Sequence, residues 1–210
     1  MTSLARKLLL IPALAMALAA PAFAADAMGP EQLVKQTTHD VLQVLESHKE
    51  EIHADPSKVS GYVRDLVLPH FDFELMSRFV LARAWKSASD KQRKAFTQEF
   101  KQLLIRTYGK SLAEYSGQKV DFPPMQSDPS RGRVTVPTEV EQPDGPTIPI
   151  DYSLYKTDSG KWKVFDVNVD GVSLVQNYRS SFASKVDKSG LDGLIEELHQ
   201  RNAERSGGAD

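Results

Sequence analysis

Residues 161–182, KWKVFDVNVDGVSLVQNYRSSF, place a strand, a tight glycine turn and the start of a helix within one short run. Val167 and Val169 alternate with Asp166, Asn168 and Asp170, the period-two pattern of a half-buried strand. Gly171 supplies the turn, and Ser173 stands where its hydroxyl can take a free N–H of the first helical turn, from Val175 or Gln176. The helix expected over about 173–186 carries Val175, Tyr178, Phe182 and Val186. Such a run joins the end of a sheet to a helical layer.

Upstream of it the period stays at two. Val120 and Phe122 alternate, then Val134, Val136, Thr138 and Val140, then Ile148, Ile150, Tyr152 and Leu154, before residues 161–169 return as the last strand. Pro123-Pro124, Asp128-Pro129, the loop at 142–146 and Asp158-Ser159-Gly160 punctuate them. The expectation is an antiparallel meander of about four strands, with Pro137 and Pro149 at edges or bulges because proline cannot donate to a ladder.

Further upstream the period is 3.6. Leu33, Val34, Thr37, Val41, Val44, Leu45 and Ile52 form one helical stripe after Pro30, and Asp55-Pro56 stops it. Val59, Tyr62, Val63, Leu66 and Val67 form a second, ended by Pro69. Asp72 is placed to cap a third with Phe73, Met76, Phe79 and Val80. Ser89 and Gln92 form a capping box before a long helix to about residue 116, with Phe96, Phe100, Leu103, Leu104, Tyr108, Leu112 and Tyr115 on one side and Gly109 interrupting it. Ser189-Gly190 breaks the C-terminal helix before Leu191, Leu194, Ile195 and Leu198. Helices first, sheet second and helix last make an α+β plan: a curved antiparallel sheet covered on its concave face by the N-terminal helices and the C-terminal helix.

Arg6 and Lys7 precede an apolar run that ends in Ala22-Phe23-Ala24, so residues 1–24 read as a secretory signal peptide. Residues 25–200 are expected to form a single domain and residues 201–210 a polar, frayed tail. Without the leader, 24 basic residues stand against 28 acidic, a charge of −4. That balance gives no reason for tight binding to nucleic acid or to an anionic membrane. The absence of cysteine excludes thiol catalysis and thiolate metal sites.

Two partial motifs overlap the opening stretch. Asp166-Val-Asn168-Val-Asp170-Gly171 matches the first half of a calcium loop, but the twelfth position, which needs a bidentate Glu, is Asn177. Gly171-Val-Ser173-Leu-Val175 resembles a nucleophile elbow, but Val175 stands where a second small residue is needed. A strand ending in a glycine turn and a helix cap account for the same residues. The remaining hydrolase alternative pairs Ser173 with His70, beside a turn. His39, His48, His53 and His199 lack metal-ligand spacing. No catalytic or metal-binding residue is therefore assigned.

What remains is an apolar layer. Phe73, Met76, Phe79, Phe100, Leu104, Tyr108, Leu112 and Tyr115 on two helices are expected to face Val136, Val140, Ile150, Tyr152, Leu154 and Val164 on the sheet, with Tyr178 and Phe182 brought back over it. The layer can be an ordinary core or the wall of a pocket. Composition does not separate the two.

The run from Trp162 through Gly171-Val-Ser173-Leu to Asn177-Tyr178-Arg179-Ser-Ser-Phe182 resembles the MlaC family, also described as the toluene-tolerance ABC-transport auxiliary family. His70-Phe71-Asp72-Phe73, Met76-Ser77-Arg78, Trp85, Gln92, Phe96, Phe100, Thr107-Tyr108 and Tyr115 agree with it. The resemblance implies a non-enzymatic periplasmic phospholipid carrier without a cofactor, holding lipid as cargo between sheet and helices and acting as a monomer. It also implies docking to an outer-membrane lipoprotein, MlaA, with its porin, and to an inner-membrane ABC transporter through MlaD. On it, the lipid-binding residues are Phe73, Met76, Phe100, Leu104, Tyr108, Leu112, Tyr115, Val136, Ile150, Tyr152, Leu154, Val164, Tyr178 and Phe182. Two acyl chains of about 30 carbons, at about 0.8 kcal/mol per buried CH₂, require an enclosure worth roughly 20 kcal/mol, which favours a deep pocket over a groove.

Overall fold

The alternating stretches fold into one antiparallel sheet in a computed structural model that describes residues 28–142 and 145–204. Among the described residues it has five strands in chain order: β1 (Val120–Asp121), β2 (Arg133–Val140), β3 (Ile148–Lys156), β4 (Trp162–Val169) and β5 (Val172–Ser173). The strand beyond the expected four is β5, because the Gly171 turn closes a hairpin in which Val169 pairs with Val172. Asp170 and Gly171 both have positive φ, 50° and 81°, as a two-residue type I′ turn requires. Register sets the inner face: Val134 opposite Leu154, Val136 opposite Tyr152, and Leu154 opposite Val164. Phe165 is the extra residue of a bulge where the register slips between Ser153 and Leu154, so Val164 and Val167 both turn inward. Pro137 lies where β2 has run past β1, and Thr135 N–H beside it donates to Ser127 Oγ off the sheet.

The helices follow their stop and start signals closely. Pro30 opens α1 (Pro30–Ser47), which breaks at His48 before α2 (Lys49–Ala54). Asp55 accepts from Ser57 N–H at 3.0 Å, and α3 (Val59–Tyr62) follows. It winds on as a wide π turn, Val63–Val67, and a 3-10 turn, Leu68–His70. Asp72 caps α4 (Phe73–Leu81) by accepting from Leu75 N–H at 2.8 Å. After α5 (Arg83–Ser87), the reciprocal Ser89–Gln92 box opens α6 (Asp90–Ala113). Helix α6 passes Gly109 without a break, and a Cβ there would meet nothing within 4 Å. The last helix, α7 (Leu174–Glu204), is bent at Gly190, whose φ of 71° and ψ of 175° lie outside the helical range.

That bend makes α7 a helical hairpin. Its first leg runs antiparallel to α6, with the Tyr178 and Phe182 rings against Phe100 at 5.2 and 6.2 Å. The second leg folds back along α6: Gln92 donates to Asp192 at 2.9 Å, and Asn202 donates to the Glu99 carboxylate at 2.7 Å. The segment Arg201–Glu204, expected to be frayed, is helical, and Asn202 is buried. The leader (1–24), residues 143–144 of the expected 142–146 loop, and 205–210 of the tail lie outside the described residues.

One arrangement differs from expectation. The helix laid on the sheet by its Leu33 and Val34 is α1, whereas α4 packs on α6 and α7 and meets the sheet at the β4 edge. There Phe71 bridges Val164, and Asp72 N–H donates to Val164 O at 2.9 Å. A helical stripe gives the buried face but not its partner.

Candidate functional site

Among the described residues the interior divides into three apolar clusters rather than one core. The first lies between α4, α6 and α7: Met76, Phe96, Phe100 and Leu194 retain no accessible surface, and Phe182 and Leu198 almost none. The second is the inner sheet face with Leu33, Val34 and Leu174. The third joins α1, α2, α3 and α6 through Leu45, Ile52, Val59, Val63 and Ile105. Phe71 and Tyr108 connect the first to the second. The second and third share no residue.

Several apolar side chains packed against the second and third clusters are only half-buried. Ile150, Tyr152 and Val169 are on the sheet side, Tyr108 extends from α6, and Val41, Val67, Leu68, Leu112 and Tyr115 are on the helix side. Tyr152 keeps some accessible surface, and burial raises its phenol above the ordinary tyrosine range. Burial foremost, and then Tyr178 through its charge and its hydrogen bond, pushes Tyr108 up to about 12, and burial also raises Tyr115.

The structure divides the proposed site residues among the three clusters. Tyr108, Ile150 and Tyr152 are half-buried against the sheet cluster, and Leu112 and Tyr115 are half-buried against the α1–α3–α6 cluster. Met76, Phe100, Leu104 and Phe182, with half-buried Phe73 and Tyr178, belong to the helix core, while Val136, Leu154 and Val164 are packed into the sheet face. Met76, Phe100, Val136 and Leu154 have no accessible surface. Val41, Val67, Leu68 and Val169, which are not among the site residues read from the sequence, are half-buried against the sheet cluster and the α1–α3–α6 cluster.

The opening stretch proves to be a fastening. Asp166 Oδ1 accepts from Val167 N–H at 2.8 Å and from Val175 N–H at 3.0 Å, and Oδ2 accepts from Ser173 Oγ at 2.5 Å. Ser173 Oγ in turn accepts from Gln176 N–H at 3.1 Å, so its hydroxyl is engaged in the helix cap at both donor and acceptor. Among the described residues no group of three or more His, Asp or Glu side chains is placed to hold a metal ion. His70 lies in the turn before Phe71, where burial, and then Lys163, lowers its pKa against the opposing pull of Asp40.

Two surface clefts lie elsewhere. One of about 300 Å³ runs past Pro123, Pro124, Pro137 and Pro149; another of about 430 Å³ lies between the start of α1 and Met125 and Pro129. Prolines and polar side chains dominate their linings. Among the described residues no helix is long and apolar enough to cross a membrane.

Residues 35–200 match the family model described as MlaC protein. The chain is 28% identical over 173 residues to the toluene tolerance protein ttg2D of Pseudomonas putida, covering 82% of this chain and 80% of that protein. It is 26% identical over 173 residues to the intermembrane phospholipid transport system binding protein MlaC of Haemophilus influenzae, covering 81% of each. Its fold is similar to the phospholipid-binding protein of Ralstonia solanacearum, solved in complex with a phospholipid. The TM-score is 0.77 at 30% identity, covering 84% of this chain and 98% of that one.

Proposed function

The chain belongs to the MlaC family, and from that premise we propose that it is a periplasmic phospholipid carrier whose cargo fills the space between the sheet and α1, α3 and α6. The observation that carries this reading is the likeness to a phospholipid-binding protein solved in complex with a phospholipid, at 30% identity over 84% of this chain. Half-buried Ile150, Val169, Leu112, Val41 and Leu68 make the surrounding wall apolar, which suits acyl chains. Burying each CH₂ contributes about 0.8 kcal/mol, so a two-chain lipid leaves a bilayer only for an enclosure of this kind. Binding is followed by transfer rather than chemistry: the protein exchanges cargo with an outer-membrane MlaA–porin complex and an inner-membrane ABC transporter through MlaD. Native mass spectrometry of the mature protein purified without added lipid tests the carriage. A mass increment equal to a phospholipid, extractable into organic solvent, is expected; a bare protein mass with no extractable phospholipid overturns it.

A further inference from the structure

Six basic residues and one acid, Asp90, fall within residues 78–94 of a chain whose net charge is −2. Arg78, Arg83, Lys86, Lys91 and Lys94 are exposed. The sixth, Arg93, turns inward: its Nε donates to Trp85 O at 3.1 Å, its guanidinium lies 5.5 Å from the centre of the Trp85 ring, and a terminal nitrogen reaches Asp90 at 3.3 Å. Another terminal nitrogen reaches Lys86 O at 3.5 Å. The first turn of α6 thereby holds the open carbonyls at the end of α5, so the short helix is fixed rather than hinged.

The entry to α5 is held as firmly. Ala82 has φ 49° and ψ −104°, a conformation that an L side chain rarely adopts and that persists only when its surroundings dictate it. It turns the chain sharply between α4 and α5 and sets Arg83 and Lys86 out from the helix core. Fixed at both ends, the knuckle presents its charges in one geometry. Charge, strain and clamp are three separate observations at one place.

We propose that this α4–α5–α6 knuckle is a docking surface for an acidic protein surface. A fixed array of cations matches a partner whose carboxylates are also fixed, and it speeds encounter while keeping the complex reversible. A bilayer fits less well. Among the described residues the exposed large apolar side chains are Met28 and Val172, and neither belongs to residues 78–94, so the knuckle offers nothing large and apolar to insert. Lys94 is 14 residues before Tyr108 on α6, about 21 Å along the helix axis at 1.5 Å per residue. Docking there leaves the cargo space untouched. The inference rests on the carrier reading, which gives the knuckle partners to meet.

The test uses the full mature chain with immobilised poly-L-glutamate and, in parallel, vesicles of phosphatidylglycerol. Variants are the pair R83E/K86E and, as a control outside residues 78–94 in the β3–β4 hairpin, K156E/K161E. Expected are retention of the parent on polyglutamate at low salt, at least tenfold weaker retention of R83E/K86E, and near-parent retention of K156E/K161E. Melting temperature and lipid occupancy should be unchanged in both. Equal weakening in the two variants, or no retention of the parent, overturns the inference. Binding to the vesicles in preference to polyglutamate overturns it in favour of a lipid surface. Loss of bound lipid from the parent itself counts against the carrier reading instead, which keeps the two failures distinguishable.

Discussion

The helix core between α4, α6 and α7 and the layer between the sheet and α1–α3 use the same kinds of side chain to different ends. Phe96, Phe100 and Met76 are sealed on all sides, whereas Tyr152, Ile150 and Leu112 keep open surface although they are just as apolar in sequence. The sealed core has two helices crossing closely, because α7 folds back at Gly190 and covers α6 with both legs. The open layer has a sheet on one side and a helical group on the other, each packed onto its own cluster. On the carrier reading, two complete cores that stop short of each other make the container.

The largest effect should come from the sealed core. Phe100→Ala should cost about 3–5 kcal/mol in urea unfolding, because a fully packed ring leaves a cavity. Leu112→Ala, beside space that is already open, should cost less than half as much. Equal losses would erase the distinction between the two regions.

Next is the fastening between them. Asp166→Ala frees Ser173 Oγ and the Val167 and Val175 amides. Bonds to a charged acceptor contribute about 1.5–3 kcal/mol, so a loss of that size is expected with lipid occupancy retained. A loss of lipid without a loss of stability would mean that this joint forms part of the cargo site.

Ala82→Gly should act in the opposite direction. Glycine accepts φ 49° without a Cβ clash, so stability should rise by about 1 kcal/mol in the same unfolding experiment. No gain would mean that the knuckle is relaxed as it stands.

The smallest effect should depend on pH. Glu99 accepts from His199 at 3.0 Å, and that hydrogen bond raises the pKa of the imidazole above its ordinary 6.5. A raised histidine contributes fully below its unfolded value and loses that contribution as pH rises through the folded one. The melting temperature of the parent relative to His199→Gln should therefore fall as pH climbs from below 6.5 to above the folded value. A flat difference would show that the second leg of α7 is held without this pair.

Much of this was legible in the residues themselves. Asp72, Ser89 with Gln92, and Ser173 announced helix starts, and Val134, Val136, Tyr152 and Leu154 announced a sheet face, because capping and alternation are local. The Phe165 bulge was not legible, since alternation does not record which residue will be skipped. Neither was the seat of α1 on the sheet, because Leu33 and Val34 show a buried stripe without naming its partner. Ala82 carries no sign of its positive φ. For the site, the residue types were readable, but the division between sealed and open positions depends on how two layers approach, which no single segment encodes.

Phospholipid occupancy measured by native mass spectrometry in Tyr152→Glu, Leu112→Glu and Asp166→Asn tests the container most directly. A carboxylate facing the cargo space should expel the cargo, so the first two variants should lose most of their bound lipid while the third keeps it. Equal occupancy in all three would contradict the placement of the cargo between the sheet and the helices.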